Sequence, residues 1–76
     1  MNRVIRLFNK LDDSLINEII ISDIPLKHLQ AAFNLPEDNP MYDSFQIGKL
    51  QAELISNYMH INFELEKYDY ILEYDG

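Results

Sequence analysis

The sequence predicts an α+β domain whose elements follow one another as ββααβ. Two stretches near the N-terminus have the alternation or β-branched composition of strands, two central stretches place apolar residues at helical spacing, and the C-terminal stretch alternates again. With 76 residues, of which 47% are hydrophobic, the chain is long enough for one core and too short for two. We therefore expect residues 1–76 to form one domain, with a three-stranded antiparallel sheet and two helices packed on one face.

The first two strands are predicted to form a hairpin over roughly residues 3–22. Residues 3–9 alternate as a half-buried strand does, with Ile5 and Leu7 on one face. A polar turn then leads into a second strand that is rich in β-branched residues and has apolar side chains on both faces. The sheet is therefore expected either to be covered on both sides or to present one side to a partner.

Two helices are predicted between the hairpin and the last strand. Asp23 followed by Pro25 is typical of a helix start, because the Asp side chain accepts from free amides and Pro suits the first turn. The second helix is predicted over residues 49–59 with Gly48 as its N-cap. The turn-rich segment 36–46 between the helices is predicted to be an exposed loop.

The last strand is predicted to begin at Ile61, with a bulge or bend where the alternation changes phase at Glu66 and Lys67. Its charge also predicts the strand order. The first ten residues contain bases and no acid, whereas residues 62–76 contain five acids and a single base. Opposite charges would face each other if the first strand lay between the other two, so we predict the order 2-1-3.

Composition excludes several classes of ligand. Thirteen Asp and Glu against six Lys and Arg give a net charge of −7, which repels phosphate backbones and anionic membranes. We therefore expect no direct nucleic-acid or membrane partner. The chain has no cysteine, hence no disulfide and no thiolate metal site, and it has neither a signal-peptide pattern nor a long apolar run. The expected location is the cytoplasm.

No residue pattern indicates catalysis. The two histidines, His28 and His60, lack a partner at motif spacing, and the positions one helical turn after His28 are Ala31 and Ala32. There is no Ser-His-Asp or Cys-His set and no phosphate-binding glycine loop. We predict that the protein is not an enzyme, and we predict no catalytic residue, cofactor or metal.

Acidic residues are interleaved with aromatic residues in the 36–46 loop and in the last strand. Solvated faces that keep a small protein soluble would have this composition, and so would a surface that anchors and steers a basic partner. On the second interpretation, the predicted partner-binding residues are Glu37, Asp38, Tyr42 and Asp43 of the loop and Glu66, Tyr68 and Asp69 at the bend. Phe45 and Tyr70 are expected to be core residues instead.

The whole chain also resembles a family of short bacterial domains. The resemblance is carried by the leading hairpin, the Asp38-Asn39-Pro40-Met41-Tyr42-Asp43 loop, the Ile47-x-x-x-Gln51 helix start and the closing Tyr68-Asp69-Tyr70-x-Leu72-Glu73 segment. The family members are immunity proteins of contact-dependent growth inhibition and other polymorphic toxin systems. The resemblance implies that the protein binds its cognate toxin, a basic nuclease such as an RNase or tRNase, and neutralises it by occluding the active site.

Two other classes of function stay open on the sequence alone. One is an acidic interaction module or nucleic-acid mimic of different origin. The other is a self-associating structural domain, in which the apolar second strand pairs with itself at a sheet edge. The sequence leaves the oligomeric state and the identity of the toxin open.

Overall fold

The alternating stretches form an antiparallel sheet, and the two stretches with helical spacing form helices that pack on one face of it. The fold is described by a computed structural model that covers residues 2–75. Its elements are β1 (Asn2–Asn9), β2 (Leu15–Ile21), α1 (Leu26–Ala32), β3 (Phe45–Gln46), α2 (Lys49–Ser56) and β4 (Tyr68–Asp75). The strand order is β2-β1-β4-β3. The predicted α+β class and antiparallel sheet are confirmed.

The predicted hairpin is formed by β1 and β2. Its turn closes with a hydrogen bond of 2.9 Å from the Asn9 amide to the Ser14 carbonyl, and Asp13 adopts a positive φ of 59°. Asp is one of the residue types that tolerate this left-handed conformation in tight turns. The register of the β1–β2 pair shifts between Leu7 and Phe8, so the two strands are paired irregularly near the turn.

The prediction that the first strand lies between the other two long strands is confirmed, because β1 pairs with both β2 and β4. The prediction of a three-stranded sheet is wrong. A fourth strand, β3, adds to the outer side of β4, with Phe45 opposite Leu72 and Gln46 opposite Ile71. A two-residue strand is too short to leave an alternating pattern in the sequence, which is why segment 36–46 has the composition of a loop throughout.

The last strand begins at Tyr68, so the predicted start at Ile61 is wrong. The change of phase marks a turn in front of the strand, where the amides of Lys67 and Tyr68 both donate to the Glu64 carbonyl at 3.0 and 3.1 Å. Ile61 and its apolar neighbours in this segment alternate because they pack against the core from an irregular backbone. Alternation therefore reports burial on one side here, and not strand conformation.

The helices are shorter than predicted. The N-cap of α1 is Pro25 and makes no side-chain cap hydrogen bond, so the predicted helix-start role of Asp23 as a capping acceptor is wrong. Gly48 is the N-cap of α2, as predicted, and its amide donates to Gln51 Oε1 at 3.0 Å. The α2 helix ends at Ser56.

The core lies between the helices and one face of the sheet. The side chains with the least exposure are Ile5, Leu29, Met41, Ile55 and Leu72. Tyr70 is buried, as predicted, and Phe45 is half-buried against the same cluster. No helix within residues 2–75 has the length and apolar composition needed to cross a membrane.

Candidate partner-binding surface

The 36–46 loop, which contains four of the predicted contact residues, is hydrogen-bonded to Gln30 of α1. Gln30 is only 3% exposed, and its Nε2 donates to the carbonyls of Glu37 and Asn39 at 2.9 and 2.7 Å. A buried amide side chain that donates both of its N–H groups in this way fixes the backbone that it binds. If either hydrogen bond broke, an N–H group of the buried side chain would have no partner.

Arg3 of β1 holds the same loop from the side. Its guanidinium donates to the carbonyls of Pro40 and Met41 at 2.9 and 3.2 Å and lies 5.0 Å from the centre of the Tyr74 ring. The positive charge is thus used for main-chain contacts and a cation–π contact. Arg3 therefore ties the middle of the loop to the ends of β1 and β4.

Met41 anchors the loop in the core. Its side chain is 2% exposed, its φ is 57°, and its amide donates to Asn39 Oδ1 at 2.8 Å. Since the loop is attached to α1, β1 and the core at once, little conformational entropy would be lost when a partner binds it. Pro40 and Met41, which belong to the loop motif, thus serve the fold.

The predicted contact residues of the loop all lie on its outer surface. Glu37, Asp38 and Asp43 are exposed, and Tyr42 is 62% exposed with its ring centre 4.5 Å from that of Tyr74. The Ser44 hydroxyl donates to Glu73 at 2.9 Å, which joins the loop to β4. We call this surface the acidic end; it comprises Glu37, Asp38, Tyr42 and Asp43 of the loop and Glu73, Tyr74 and Asp75 of β4.

Two carboxylates of the acidic end, Glu73 and Asp75, share one guanidinium with Glu18 of β2. Arg6 of β1 contacts Glu18 at 2.6 Å, Asp75 at 2.7 Å and Glu73 at 3.3 Å. The hydrogen bonds that Arg6 donates to Asp75 and then to Glu18 raise the pKa of Arg6 above its ordinary value, and the same hydrogen bonding to Arg6 lowers the pKa of Asp75. The group keeps a net negative charge, because one cation balances only one of the three carboxylates.

The predicted contacts at the bend lie elsewhere. Tyr68 and Tyr74 are six positions apart along β4, so the bend and the acidic end are separated by about 20 Å. Glu66 is exposed, but Tyr68 is half-buried against the core, and Asp69 lies 3.9 Å from the Lys10 ammonium. The four loop residues are therefore exposed on one short, fixed segment, and the three bend residues lie outside it.

Sequence reasoning missed the contribution of β4 to the acidic end. Glu73, Tyr74 and Asp75 belong to the acid–aromatic pattern of the last strand, but they were not among the predicted partner-binding residues. The antiparallel pairing of the first and last strands could have indicated their contribution. A central first strand brings the end of the last strand next to the start of the chain, where Arg3 and Arg6 lie. No pattern in the sequence indicated that the 36–46 loop also packs against the end of β4.

The described residues 2–75 contain no group of three or more His, Cys, Asp or Glu side chains that could hold a metal ion. On the helical side of the molecule, His28 Nδ1 and the Tyr58 hydroxyl are hydrogen-bonded to each other. They border an apolar groove of about 310 Å³ between α1 and α2. The groove is separate from the acidic end.

The architecture defines a small α+β domain with a four-stranded antiparallel sheet and one helix-covered face. The family model of a domain of unknown function, DUF7683, matches residues 2–73. The match spans nearly the whole chain, so the chain belongs to this family. No match was found among curated proteins.

The pKa shift of Asp75 leads to a testable pH dependence of stability. A carboxyl whose pKa is lowered in the folded state adds stability above its unfolded pKa, about 3.8, and loses it as the pH falls through the lower folded value. The difference in melting temperature between wild type and Asp75→Asn is therefore expected to be full at pH 6 and to shrink below pH 4. Thermal unfolding followed by circular dichroism between pH 6 and pH 2 measures it.

The matched control is the same substitution in an Arg6→Gln background, where the cause of the shift has been removed. In that background, Asp75→Asn should leave the pH dependence of the melting temperature unchanged. A pH-dependent effect of equal size in both backgrounds would contradict the assignment of the shift to Arg6.

Proposed function

We propose that this domain is an immunity protein that acts in the cytoplasm, binds a cognate toxin domain and neutralises it by occluding its active site. The toxin of this proposal is a basic nuclease of the RNase or tRNase type. The observation that carries the proposal is the acidic end: exposed carboxylates and Tyr42, whose ring contacts Tyr74 of β4, on a loop fixed by Gln30, Arg3 and Met41.

The chemistry of this surface suits the substrate cleft of a nuclease. Such a cleft is lined with cations that bind phosphates, and carboxylates on a rigid loop can take the places of those phosphates. The net charge of −7 would steer a basic partner toward the domain before contact. Tyr42, being exposed and supported by Tyr74, is suited to act as an aromatic anchor at the centre of the contact.

The Arg6 cluster extends the same surface onto the open face of the sheet. The three carboxylates of Glu18, Glu73 and Asp75 together carry more negative charge than the one guanidinium of Arg6 neutralises. They can therefore accept further hydrogen bonds from a cation of the partner. Because Arg6 already orients these side chains, little rotamer freedom would be lost on binding.

The proposal is tested with the double variant Asp38→Lys/Asp43→Lys and the cognate toxin domain that the proposal expects to be encoded next to this gene. Affinity is expected to fall by about 2–5 kcal/mol, which is roughly 30-fold to several thousandfold, because two carboxylates facing cations become like charges. Affinity is measured by surface plasmon resonance, and protection by growth of cells that express the toxin. The wild type should also associate more slowly as salt rises, because the Debye length shrinks from about 30 Å at 0.01 M to about 8 Å at 0.15 M.

The matched control is Glu53→Lys/Glu64→Lys, which changes the net charge equally but alters exposed carboxylates outside the acidic end and outside the predicted contacts at the bend. It should slow association moderately and keep protection. Equal losses in the two double variants would move the contact away from the acidic end. Failure of the wild type to bind or protect against the neighbouring toxin would overturn the proposed function itself.

A further inference from the structure

The β2 strand is an open edge of the sheet. It lies at one end of the strand order, and within residues 2–75 no strand pairs with its outer side. The strand is seven residues long, whereas the strand at the opposite edge, β3, has two. Three large apolar side chains along it are exposed: Leu15 by 50%, Ile16 by 47% and Ile20 by 62%.

The main-chain groups of Glu18 and Ile20 point outward from this edge. The Glu18 amide donates to the Asn17 side chain at 2.8 Å and not to β1. In an antiparallel pair, residues alternate between pointing both main-chain groups at the partner strand and pointing both away from it. Ile20 is two positions from Glu18 and therefore has the same orientation. The β2 edge thus offers the Ile20 amide and the carbonyls of Glu18 and Ile20 to an added strand, and the Glu18 amide would exchange its contact with Asn17 Oδ1 for one with that strand.

Two of the devices that normally protect an edge strand, lysine and proline, are missing from β2. Lysine, proline and charges directed at an incoming strand prevent unwanted pairing. The strand has the sequence LINEIII, with neither Lys nor Pro, and the Glu18 carboxylate is turned toward Arg6 at 2.6 Å. Since long, apolar and unprotected edges promote pairing, this edge is suited to an added strand.

The charges around β2 indicate which strand fits. Residues 11–25 contain Asp12, Asp13, Glu18 and Asp23 and no Lys or Arg. A second copy paired antiparallel to β2 would bring Asp12 and Asp13 of each copy toward Asp23 of the other, and each copy has a charge of −7. A strand with basic residues at both ends would instead meet acids at both ends of β2.

We propose that β2 binds an extended segment of a partner protein by strand addition, and that this segment is apolar in its middle and carries Lys or Arg at both ends. Main-chain hydrogen bonds to Glu18 and Ile20 would provide affinity, and the Asp residues beyond the ends of the strand would provide selectivity. The inference does not rest on the proposed toxin-neutralising function, because it uses the main-chain groups of the β2 edge and makes no use of the toxin.

The test uses the full chain and a synthetic peptide, Lys-Lys-Thr-Val-Thr-Val-Thr-Lys-Lys, with a second peptide in which Glu replaces every Lys. In titrations followed by amide NMR shifts, the Lys-flanked peptide is expected to bind at least about tenfold more tightly than the Glu-flanked one, with the largest shifts at Glu18 and Ile20. Ile20→Pro, which removes an outward amide, is expected to weaken this binding by about tenfold or more.

Ile20→Lys serves as a second blocking variant in case the proline variant does not fold, because it keeps the amide and adds a charge that repels the peptide. Ile20→Thr is the matched control and should bind almost as well as wild type. Equal binding of the two peptides, no binding of either, or insensitivity to both blocking variants would overturn the proposal. It would also be overturned if sedimentation showed self-association that Ile20→Lys abolishes, because the occupant would then be a second copy.

Discussion

Leu29→Ala is expected to lower the free energy of unfolding by about 2–5 kcal/mol. Leu29 is 1% exposed and belongs to the core cluster between α1 and the sheet, so truncation removes buried methyl groups and leaves a cavity. A chain of 76 residues has a total stability of roughly 4–11 kcal/mol, so the loss is a large fraction of it. Urea unfolding followed by circular dichroism measures the change, with the slope of the transition expected to stay constant.

Leu54→Ala is the matched control, because it removes the same atoms from the other helix. The apolar spacing of the sequence places Leu54 on a core-facing stripe, but its side chain is 38% exposed. The expected cost is therefore clearly smaller, about 1–1.5 kcal/mol, since part of the side chain contacts water in the folded state. Equal costs for the two leucines would contradict the placement of the helices on the sheet.

Gln30→Leu is expected to cost about 2–4 kcal/mol of stability and to loosen the acidic end. The substitution keeps the approximate size of the side chain but removes both donors, leaving the carbonyls of Glu37 and Asn39 without these hydrogen bonds. Hydrogen exchange of the Met41 amide should accelerate, because the loop loses one of its three attachments. If the acidic end binds a partner, affinity should fall although Gln30 itself is buried.

Gln51→Leu provides the control for this second prediction. Gln51 also holds a carbonyl with its side chain, that of Ala32 at 3.1 Å, but it lies at the start of α2 and not under the loop. It should lower stability while leaving the exchange of the Met41 amide close to wild type. Loop amides that exchange equally fast in both variants would show that Gln30 stabilises the domain as a whole and not the loop in particular.

The strand neighbours could be predicted because charge and register are linked. Arg6 contacts Glu73 and Asp75 across the β1–β4 pair, and Lys10, which follows β1 directly, lies 3.9 Å from Asp69 of β4. These contacts follow from opposite charges on strands that must be adjacent. The fourth strand could not be predicted in this way, because Phe45 and Gln46 carry no charge and two residues are too few to show an alternating pattern.

The candidate surface was predictable only in its exposed part. Acidic residues such as Asp38 and Asp43 in a turn-rich segment are exposed for local reasons, since the segment contains no regular element that could bury them. The bend residue Tyr68 looked similar in sequence but packs on the core, because the backbone turns at Glu64 before β4 begins. Local composition does not distinguish these two situations.

The sequence by itself determined the α+β class, the antiparallel hairpin, the negative charge and the neighbours of β1, because periodicity, turn chemistry and charge act over short distances or between adjacent strands. Only the tertiary structure decided where the acids meet. Arg3 and Gln30 come from different elements, and both donate hydrogen bonds to carbonyls of the same loop. The loop then passes the end of β4, where Ser44, the neighbour of Asp43, contacts Glu73. Every residue has a backbone carbonyl, so contacts of this kind leave no pattern in the sequence.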